Sequence, residues 1–171
     1  KGAAQALEAL ASASKVQAHQ GDAWHRAGWL WLDAVGDEDR GRAALETVAD
    51  LDLTHGDTFA RLSALYVKQD AREKLADLLE RRIALTTDPE ERVALEVTRG
   101  KALADIGDTS AAREALAAAL DANPDHADAL DAFAELSVHD GDWEGAEQAW
   151  IRLARHSTEP ERQAEIYRKL G

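Results

Sequence analysis

Three residues near the start of the chain, His19, Asp22 and His25, carry side chains that can bind zinc. Such ligands must converge on one point to form a metal site. We expect this segment to cross the start of a helix, which would separate the three side chains. The six histidines of the chain also show no pairing four residues apart along a helix. We therefore interpret the three residues as ordinary surface residues and predict no metal site.

Other chemistry is equally poorly supported by the sequence. The chain has no cysteine, which excludes disulfides and thiolate-bound zinc. The acidic stretch "GDEDRG" at 36–41 lacks the ligand spacing of a calcium loop and is better explained as a turn before a helix. No glycine-rich phosphate loop is present. We predict no catalytic residues and no cofactor, and we predict that the protein is not an enzyme.

Composition favours helices and disfavours two kinds of partner. The 171 residues are 45% hydrophobic but only 5% aromatic, and alanine, leucine and other good helix formers dominate. The formal net charge is −13, so phosphate backbones would be repelled and nucleic-acid binding is not expected. No apolar run approaches the roughly 20 residues that span a bilayer. The fold class expected from these features is all-α.

An internal repeat predicts how the helices are arranged. The stretch "GDTSAAREAL" at 107–116 returns 34 residues later as "GDWEGAEQAW" at 141–150. Ala112 and Ala146 correspond, and so do Leu116 and Trp150. We interpret each stretch as a turn followed by the first half of the second helix in a helical hairpin, in which the small alanine lets two helices approach.

The same phase extends along the chain and predicts a single array. Its parts are the second helix of an upstream repeat at 1–20, repeats at 21–55, 56–92, 93–126 and 127–158, and the first helix of a downstream repeat at 159–171. The first helix is expected from about Ala3 to Ala18. Because helical sequence is already under way at Lys1, we expect a segment of a longer protein, whose cellular compartment the sequence leaves open.

Two helix starts carry the same signal. Thr87 or Asp88 can cap a helix that has Pro89 in its first turn, and Thr158 with Pro160 repeats this device.

These motifs resemble the tetratricopeptide repeat (TPR) family. The resemblance rests on Trp24-x2-Ala27-Gly28-x2-Trp31, Phe59-x2-Leu62-Ser63-x2-Tyr66, Ala112-x3-Leu116, Ala146-x3-Trp150 and Pro124. It implies an α-solenoid of stacked antiparallel helix hairpins that forms a right-handed superhelix. In such arrays the first helices line a concave groove that binds peptides or protein segments, and catalysis is rare. Arg99 and Asp70 depart from the pattern, at a large apolar position and at a turn glycine respectively.

The resemblance also implies which residues face the groove, namely those on the first helices away from the packing stripe. They are His25, Trp29, Asp33, Asp57, Arg61, Ala64, Lys68, Lys101, Asp105, Asp128, Asp131 and Glu135. The paired asparagines that hold a terminal carboxylate in some TPR arrays are absent, because Asn123 is the single asparagine. Since carboxylates outnumber cations in this set, a basic peptide or protein segment is the better electrostatic match. The alternative is that these charges only solvate an exposed helix face.

Three tryptophans carry separate expectations. Trp29 is not needed by the repeat core, and it could be an aromatic anchor for a partner. We favour the other interpretation, in which Trp29 is buried against the upstream helix. Trp143 and Trp150 are assigned to packing.

We therefore predict that the protein is a protein-interaction scaffold. The composition of the chain, rich in alanine, aspartate and arginine, is typical of a GC-rich bacterial source. The alternative is a structural spacer or self-association module without a peptide ligand.

Overall fold

The computed structural model describes residues 1–157 and 160–170, and helices are the regular structure throughout these residues. They are α1 (Gly2–Ala13), α2 (Gln17–Trp29) with a π-helical continuation (Leu30–Val35), α3 (Glu38–Leu51), α4 (Thr58–Lys68), α5 (Arg72–Leu85), α6 (Pro89–Asp105), α7 (Thr109–Ala122), α8 (Ala127–His139), α9 (Trp143–His156) and α10 (Pro160–Leu170). The described residues contain no strand. The prediction of an all-α fold is confirmed.

The chain divides into two compact units. The first comprises Lys1–Ala71, and the second begins at Arg72. In the first unit α1 packs on α2, α2 on α3, and α3 on α4. In the second unit each helix from α5 to α10 packs on the next, and α6 also contacts α8. Within each unit this is the arrangement of sequential antiparallel hairpins that the repeat predicts.

The first helix ends earlier than predicted. The helix expected to reach Ala18 stops at Ala13, and α2 begins at Gln17. Ser14 explains the break, because its hydroxyl oxygen accepts a hydrogen bond from the Val16 backbone N–H at 3.2 Å. The side-chain amide of Gln20 donates to the Ser14 carbonyl oxygen at 2.7 Å. A serine that bonds to nearby backbone in this way competes with the helix.

The repeated Gly-Asp dipeptide closes one helix and starts the next. Gly107 and Gly141 have φ values of 81° and 77°, in the left-handed region that glycine adopts without steric cost. The following Asp108 and Asp142 each accept a hydrogen bond from the backbone N–H three residues later, at 3.1 and 3.0 Å. The dipeptide is thus a helix stop followed by an N-cap. Asp70, which replaces a turn glycine, keeps a positive φ of 54°.

Of the two predicted helix-start signals, the one before α6 lies within the described residues. Of the two candidates Thr87 and Asp88, Asp88 is the N-cap of α6, and its carboxylate accepts from the Glu90 N–H at 3.3 Å. Thr158 and Glu159, at the corresponding place before α10, lie outside the described residues.

Small residues allow the hairpins to close. Ala112 and Ala146 are almost fully buried, as the repeat predicts. At Gly100 an added Cβ would lie 2.7 Å from the Leu116 side chain, so the helices α6 and α7 approach too closely there for any larger residue. Leu116 itself is 1% exposed. The close contact of a small and a large residue is therefore the packing unit of the hairpin.

The predictions for Trp143 and Trp150 have opposite outcomes. Trp150 is buried among Leu130, Ala146 and Leu153, as predicted. Trp143 is 68% exposed, so its assignment to the core is wrong. It occupies the first position of α9, one turn before Ala146, the first buried residue of that helix.

Candidate functional site

Side chains of α2 and α4 meet along one face of the first unit. His25 of α2 bonds through Nε2 to the carboxylate of Asp57 at 2.7 Å. Trp29 lies one turn after His25 on α2, and the guanidinium carbon of Arg61, on α4, is 4.1 Å from the centroid of its ring. We refer to Asp22, His25, Trp29, Asp33, His55, Asp57 and Arg61 together as the Trp29 cluster.

Arg61 is the central residue of the Trp29 cluster. Its Nε donates to Asp57 at 2.6 Å, and one of its terminal amino groups donates to Asp33 at 3.2 Å. The guanidinium is thus held between two carboxylates while its carbon lies over the indole ring. A guanidinium in this position is attracted to the ring by cation–π and dispersion interactions. The arrangement fixes the orientation of Trp29 before any partner binds.

Trp29 is exposed, and the interpretation that favoured its burial is wrong. Its side chain is 45% accessible to solvent. The tryptophan that bonds to α1 is Trp31, in the π-helical continuation of α2; it is fully buried and donates its indole N–H to the Glu8 carboxylate at 2.7 Å. The two indoles lie two positions apart on one helix, so they leave it in different directions.

A π-helical segment lies directly after Trp29. Residues Leu30–Val35 form this segment, which contains both the buried Trp31 and the cluster residue Asp33. The wider turn changes the direction in which successive side chains leave the helix, and it places Trp31 toward α1 and Asp33 toward Arg61. Single π-helical turns of this kind are frequent at functional sites. The sequence motif gave no signal for this segment.

The electrostatics of the Trp29 cluster favour the ionised form of the Asp57 carboxyl group. Partial burial acts to raise the pKa of Asp57, but hydrogen bonds from Arg61 and His25 outweigh it and lower the pKa from 3.8 to about 2. The same two carboxylates that hold Arg61 raise the pKa of its guanidinium against the opposing effect of burial. Asp57 is therefore ionised at neutral pH.

Two of the three possible zinc ligands, Asp22 and His25, form pairs with other residues. His19, Asp22 and His25 all lie on α2 rather than across a helix start. Asp22 pairs with Nε2 of His55 at 3.3 Å, while His25 pairs with Asp57 and meets His55 edge to face. Within 1–157 and 160–170, no group of three His, Asp or Glu side chains is arranged to hold a metal ion.

His55 and Asp22 are the cluster residues that the predicted groove set lacked; Asp22 was interpreted as an ordinary surface residue, and His55 was given no role. His55 lies in the connection between α3 and α4, where helical periodicity does not predict the direction of a side chain. Lys68, by contrast, was predicted to share this face but pairs with Glu38 at the start of α3. Lys68 therefore lies outside the Trp29 cluster.

In the second unit, two predicted groove residues are bonded within the chain. Lys169 of α10 donates to Asp131 at 3.1 Å and to Glu135 at 3.0 Å. Asp131 also accepts the indole N–H of the buried Trp150 at 3.2 Å. These carboxylates of α8 therefore connect α8 to α9 and α10.

The remaining predicted residues of the second unit are more scattered. Asp128 lies 3.8 Å from Arg162 of α10, and Asp105 lies 3.5 Å from Arg72 of α5. Lys101 is exposed on α6. The structure thus brings His25, Trp29, Asp33, Asp57 and Arg61 together in the first unit, and it places the others in separate ion pairs or alone.

None of the helices in the described part of the chain is long and apolar enough to cross a membrane.

Comparison with known proteins identifies the fold. No family model matches the chain, and no curated protein matches it either. Solved structures do match. YrrB, described as a TPR protein with an unusual peptide-binding site, is 18% identical with a TM-score of 0.65, covering 96% of this chain and 88% of YrrB.

Two further structures are similar. MamA is 17% identical with a TM-score of 0.60, covering 97% of this chain and 89% of MamA. PilF of Pseudomonas aeruginosa is 15% identical with a TM-score of 0.60, covering 88% of this chain and 67% of PilF. Together with the helical hairpins, these matches show that the chain has the TPR fold, an all-α helical repeat of the α-solenoid class.

Proposed function

We propose that the protein is an interaction scaffold that binds a peptide or protein segment at the Trp29 cluster. The observation that carries the proposal is the state of Trp29, a large aromatic side chain that is 45% exposed yet held by Arg61. Tryptophan is enriched among residues that dominate binding energy. A side chain that is already ordered loses less conformational entropy when a partner covers it. The peptide-binding site ascribed to YrrB, which has the same fold, supports the proposal.

The charges of the cluster favour a basic segment. Asp33 and Asp57 remain 47% and 45% exposed although both contact Arg61. Each carboxylate can therefore accept further hydrogen bonds from a lysine or arginine of the partner. Asp22 contributes a third carboxylate beside these two, and Arg61 is the one residue of the cluster with a permanent positive charge. A nucleic acid would meet net negative charge here, as it would over the whole chain.

We propose binding rather than catalysis because the Trp29 cluster is open to solvent. The polar groups of the Trp29 cluster lie on an open helix face, whereas nucleophilic catalysis needs a nucleophile, base and oxyanion donors assembled in a site that excludes water. The cluster offers donors, acceptors and an aromatic surface, which suit recognition.

The second unit supports a different candidate, a structural or self-associating module. Its predicted groove carboxylates Asp131 and Glu135 are bonded to Lys169, so they stabilise helix packing. The unit also exposes Trp143 and Tyr167, at 68% and 61%, which are apolar surfaces available to a second copy. Self-association would appear as concentration-dependent mass in sedimentation velocity and would be lost in Trp143→Ser combined with Tyr167→Ser.

The experiment that tests peptide binding is affinity capture with matched variants. The chain, Trp29→Ala and Trp143→Ala would each be immobilised at equal density and exposed to lysate of the source cell. Both substitutions remove an exposed indole, but only Trp29→Ala alters the Trp29 cluster. We expect Trp29→Ala to lose partners that the other two forms retain, and we expect the captured segments to be rich in lysine or arginine.

Asp33→Asn combined with Asp57→Asn tests the charge requirement. The double variant is expected to weaken capture while Trp29 stays in place. Equal capture by all forms, or the absence of any captured protein, would contradict binding at the Trp29 cluster and favour the structural module.

A further inference from the structure

Arg61 contacts the rest of the Trp29 cluster in two separable ways. Its bond to Asp57 is local, because Asp57 lies four residues earlier in the chain, at the N-cap of α4. Its contacts with Trp29 and Asp33 cross to the end of α2 and to the π-helical segment. Rotation of the Arg61 side chain about its own bonds can therefore release the cross-helix contacts and keep the local one.

The cross-helix ion pair is the longer of the two. A terminal amino group of Arg61 lies 3.4 and 3.2 Å from the carboxylate oxygens of Asp33, whereas Nε lies 2.6 Å from Asp57. Charge-assisted hydrogen bonds of this type are usually about 2.7–2.9 Å long. Ion pairs that are this exposed also add little to stability. The bond from Arg61 to Asp33 is therefore the one that a competing cation replaces most readily.

The contacts of Arg61 show which chemical group this part of the cluster accepts. Its guanidinium lies over the Trp29 ring and reaches the Asp33 carboxylate from the same position. A guanidinium can do both because its five N–H donors lie in one plane and its weak hydration favours contact with an aromatic ring. An ammonium group is compact and strongly hydrated, and it lacks this planar fork. The geometry around Trp29 therefore favours arginine over lysine.

The place that Arg61 occupies is accessible from solvent. The Trp29 side chain is 45% exposed and the Asp33 side chain 47%. Arg40 provides a contrast in the same unit, because its guanidinium carbon lies 4.7 Å from the ring of Trp31, which is fully buried. A partner can reach the indole that contacts Arg61 but not the one that contacts Arg40.

We propose that the partner segment presents an arginine, whose guanidinium replaces that of Arg61 on the Trp29 ring and beside Asp33. Arg61 keeps its hydrogen bond to Asp57 during the exchange. This assignment rests on the binding proposed above and adds the identity of the recognised side chain. Arg61 is then an internal competitor, which occupies the site when no partner is bound. A ligand that makes fewer contacts does not displace it, so Arg61 sets the selectivity of the site.

Blocked amino acids test which side chain the site accepts. The probes are N-acetyl-arginine amide, N-acetyl-lysine amide and N-acetyl-citrulline amide, the last being an uncharged analogue with the shape of arginine. Each is titrated into the whole 171-residue chain. Nuclear magnetic resonance follows the indole N–H of Trp29, which is identified by its absence in Trp29→Phe. We expect the arginine probe to bind in the millimolar range and the other two about tenfold or more weakly.

Removal of the internal competitor is the sharper test. Arg61→Ala leaves Trp29 and Asp33 without their guanidinium, so we expect the arginine probe to bind about tenfold more tightly than to the unaltered chain. Arg40→Ala is the matched control, because it makes the same change in net charge and also removes a guanidinium from a tryptophan. We expect the binding of the probe to Arg40→Ala to be unchanged.

Asp33→Asn provides an independent readout. Because it removes the carboxylate that the partner guanidinium would contact, it should abolish the preference for arginine over lysine. Asp39→Asn removes an exposed carboxylate of α3 that lies outside the Trp29 cluster, and it should keep the preference. Circular dichroism melts show whether each variant is folded when binding is measured.

Two results with Arg61→Ala would overturn the proposal. One is that the lysine probe binds as well as the arginine probe, and the other is that the arginine probe binds no more tightly than to Arg40→Ala. Absence of any shift of the Trp29 resonance would also overturn it. Captured segments that need Trp29 but show no preference for arginine would leave the proposed function standing without the exchange, whereas failure of both experiments would contradict both.

Discussion

Arg61 stacks on Trp29 at 4.1 Å while its Nε bonds to Asp57 at 2.6 Å. One guanidinium therefore fixes both an exposed aromatic ring and a carboxylate, although Arg61 lies on α4 and Trp29 on α2. The two helices are connected through α3, so the contact depends on the packing of the whole first unit. Its consequence is an ordered and partly exposed indole, which is the feature expected of a binding anchor.

Asp57 is expected to make the stability of the first unit depend on acid pH. Its pKa is about 2 in the folded protein against 3.8 in the unfolded chain. A lowered pKa contributes stability above the unfolded value, and this contribution is lost as the pH falls from about 4 toward 2. Because Asp57 is about half exposed, we expect Asp57→Asn to cost less than about 1 kcal/mol at neutral pH. Urea unfolding at a series of pH values should show the two proteins converging near pH 2.

The control for Asp57→Asn is Asp121→Asn, which removes an exposed carboxylate that makes no ion pair with a described residue. If both variants differed from the unaltered chain by the same amount at every pH, the hydrogen bonds to Asp57 would not be the cause.

Ala146→Leu is expected to destabilise the second unit by overpacking. Ala146 is 1% exposed and lies in the core with Trp150 and Leu153. Extra methylene groups at such a position force side chains from their preferred rotamers and typically cost about 1–3 kcal/mol. Thermal unfolding would measure the loss, and Ala118→Leu, at an exposed position of α7, is the matched control. An unchanged melting temperature for Ala146→Leu would contradict the packing of α8 on α9.

Gly141→Ala tests the left-handed turn between α8 and α9. A Cβ at this position would meet no atom within 4 Å, so any cost comes from the backbone alone. The φ of 77° is unfavourable for alanine by about 1–2 kcal/mol. Gly141→Asn should cost less, because asparagine tolerates the left-handed region. Urea midpoints that rank the two variants in the reverse order would show that the turn is not strained as described.

Trp150→Ala and Trp143→Ala should differ strongly in stability. Trp150 is 8% exposed and donates its indole N–H to Asp131. Its removal leaves a cavity and takes one of the two hydrogen bonds from the Asp131 carboxylate, which Lys169 still contacts, at a cost of about 3–5 kcal/mol. Trp143 is mostly exposed, so its removal should change stability by no more than about 0.5 kcal/mol. Equal losses in calorimetry would mean that Trp143 belongs to the core after all.

The helices themselves could be predicted because their signals are local. The 34-residue offset between Gly107 and Gly141 gave the repeat, and the structure adds that each glycine supplies a left-handed turn before an aspartate N-cap. Buried Ala112 and Ala146 were predicted because a hairpin needs a small residue at its point of closest approach. The early end of α1 was missed, because Ser14 ends the helix through hydrogen bonds that apolar periodicity does not show.

The sequence by itself determined the all-α repeat fold, the acidic surface and the buried face of most helices, because these follow from periodicity, turn residues and composition. Only the tertiary structure decided whether individual large side chains are buried or exposed. Trp29 was expected to be buried and Trp143 to pack, yet both are exposed, since burial depends on which helix lies opposite. The partners of Trp29 come from a helix about 30 residues away, and no local pattern encodes that distance.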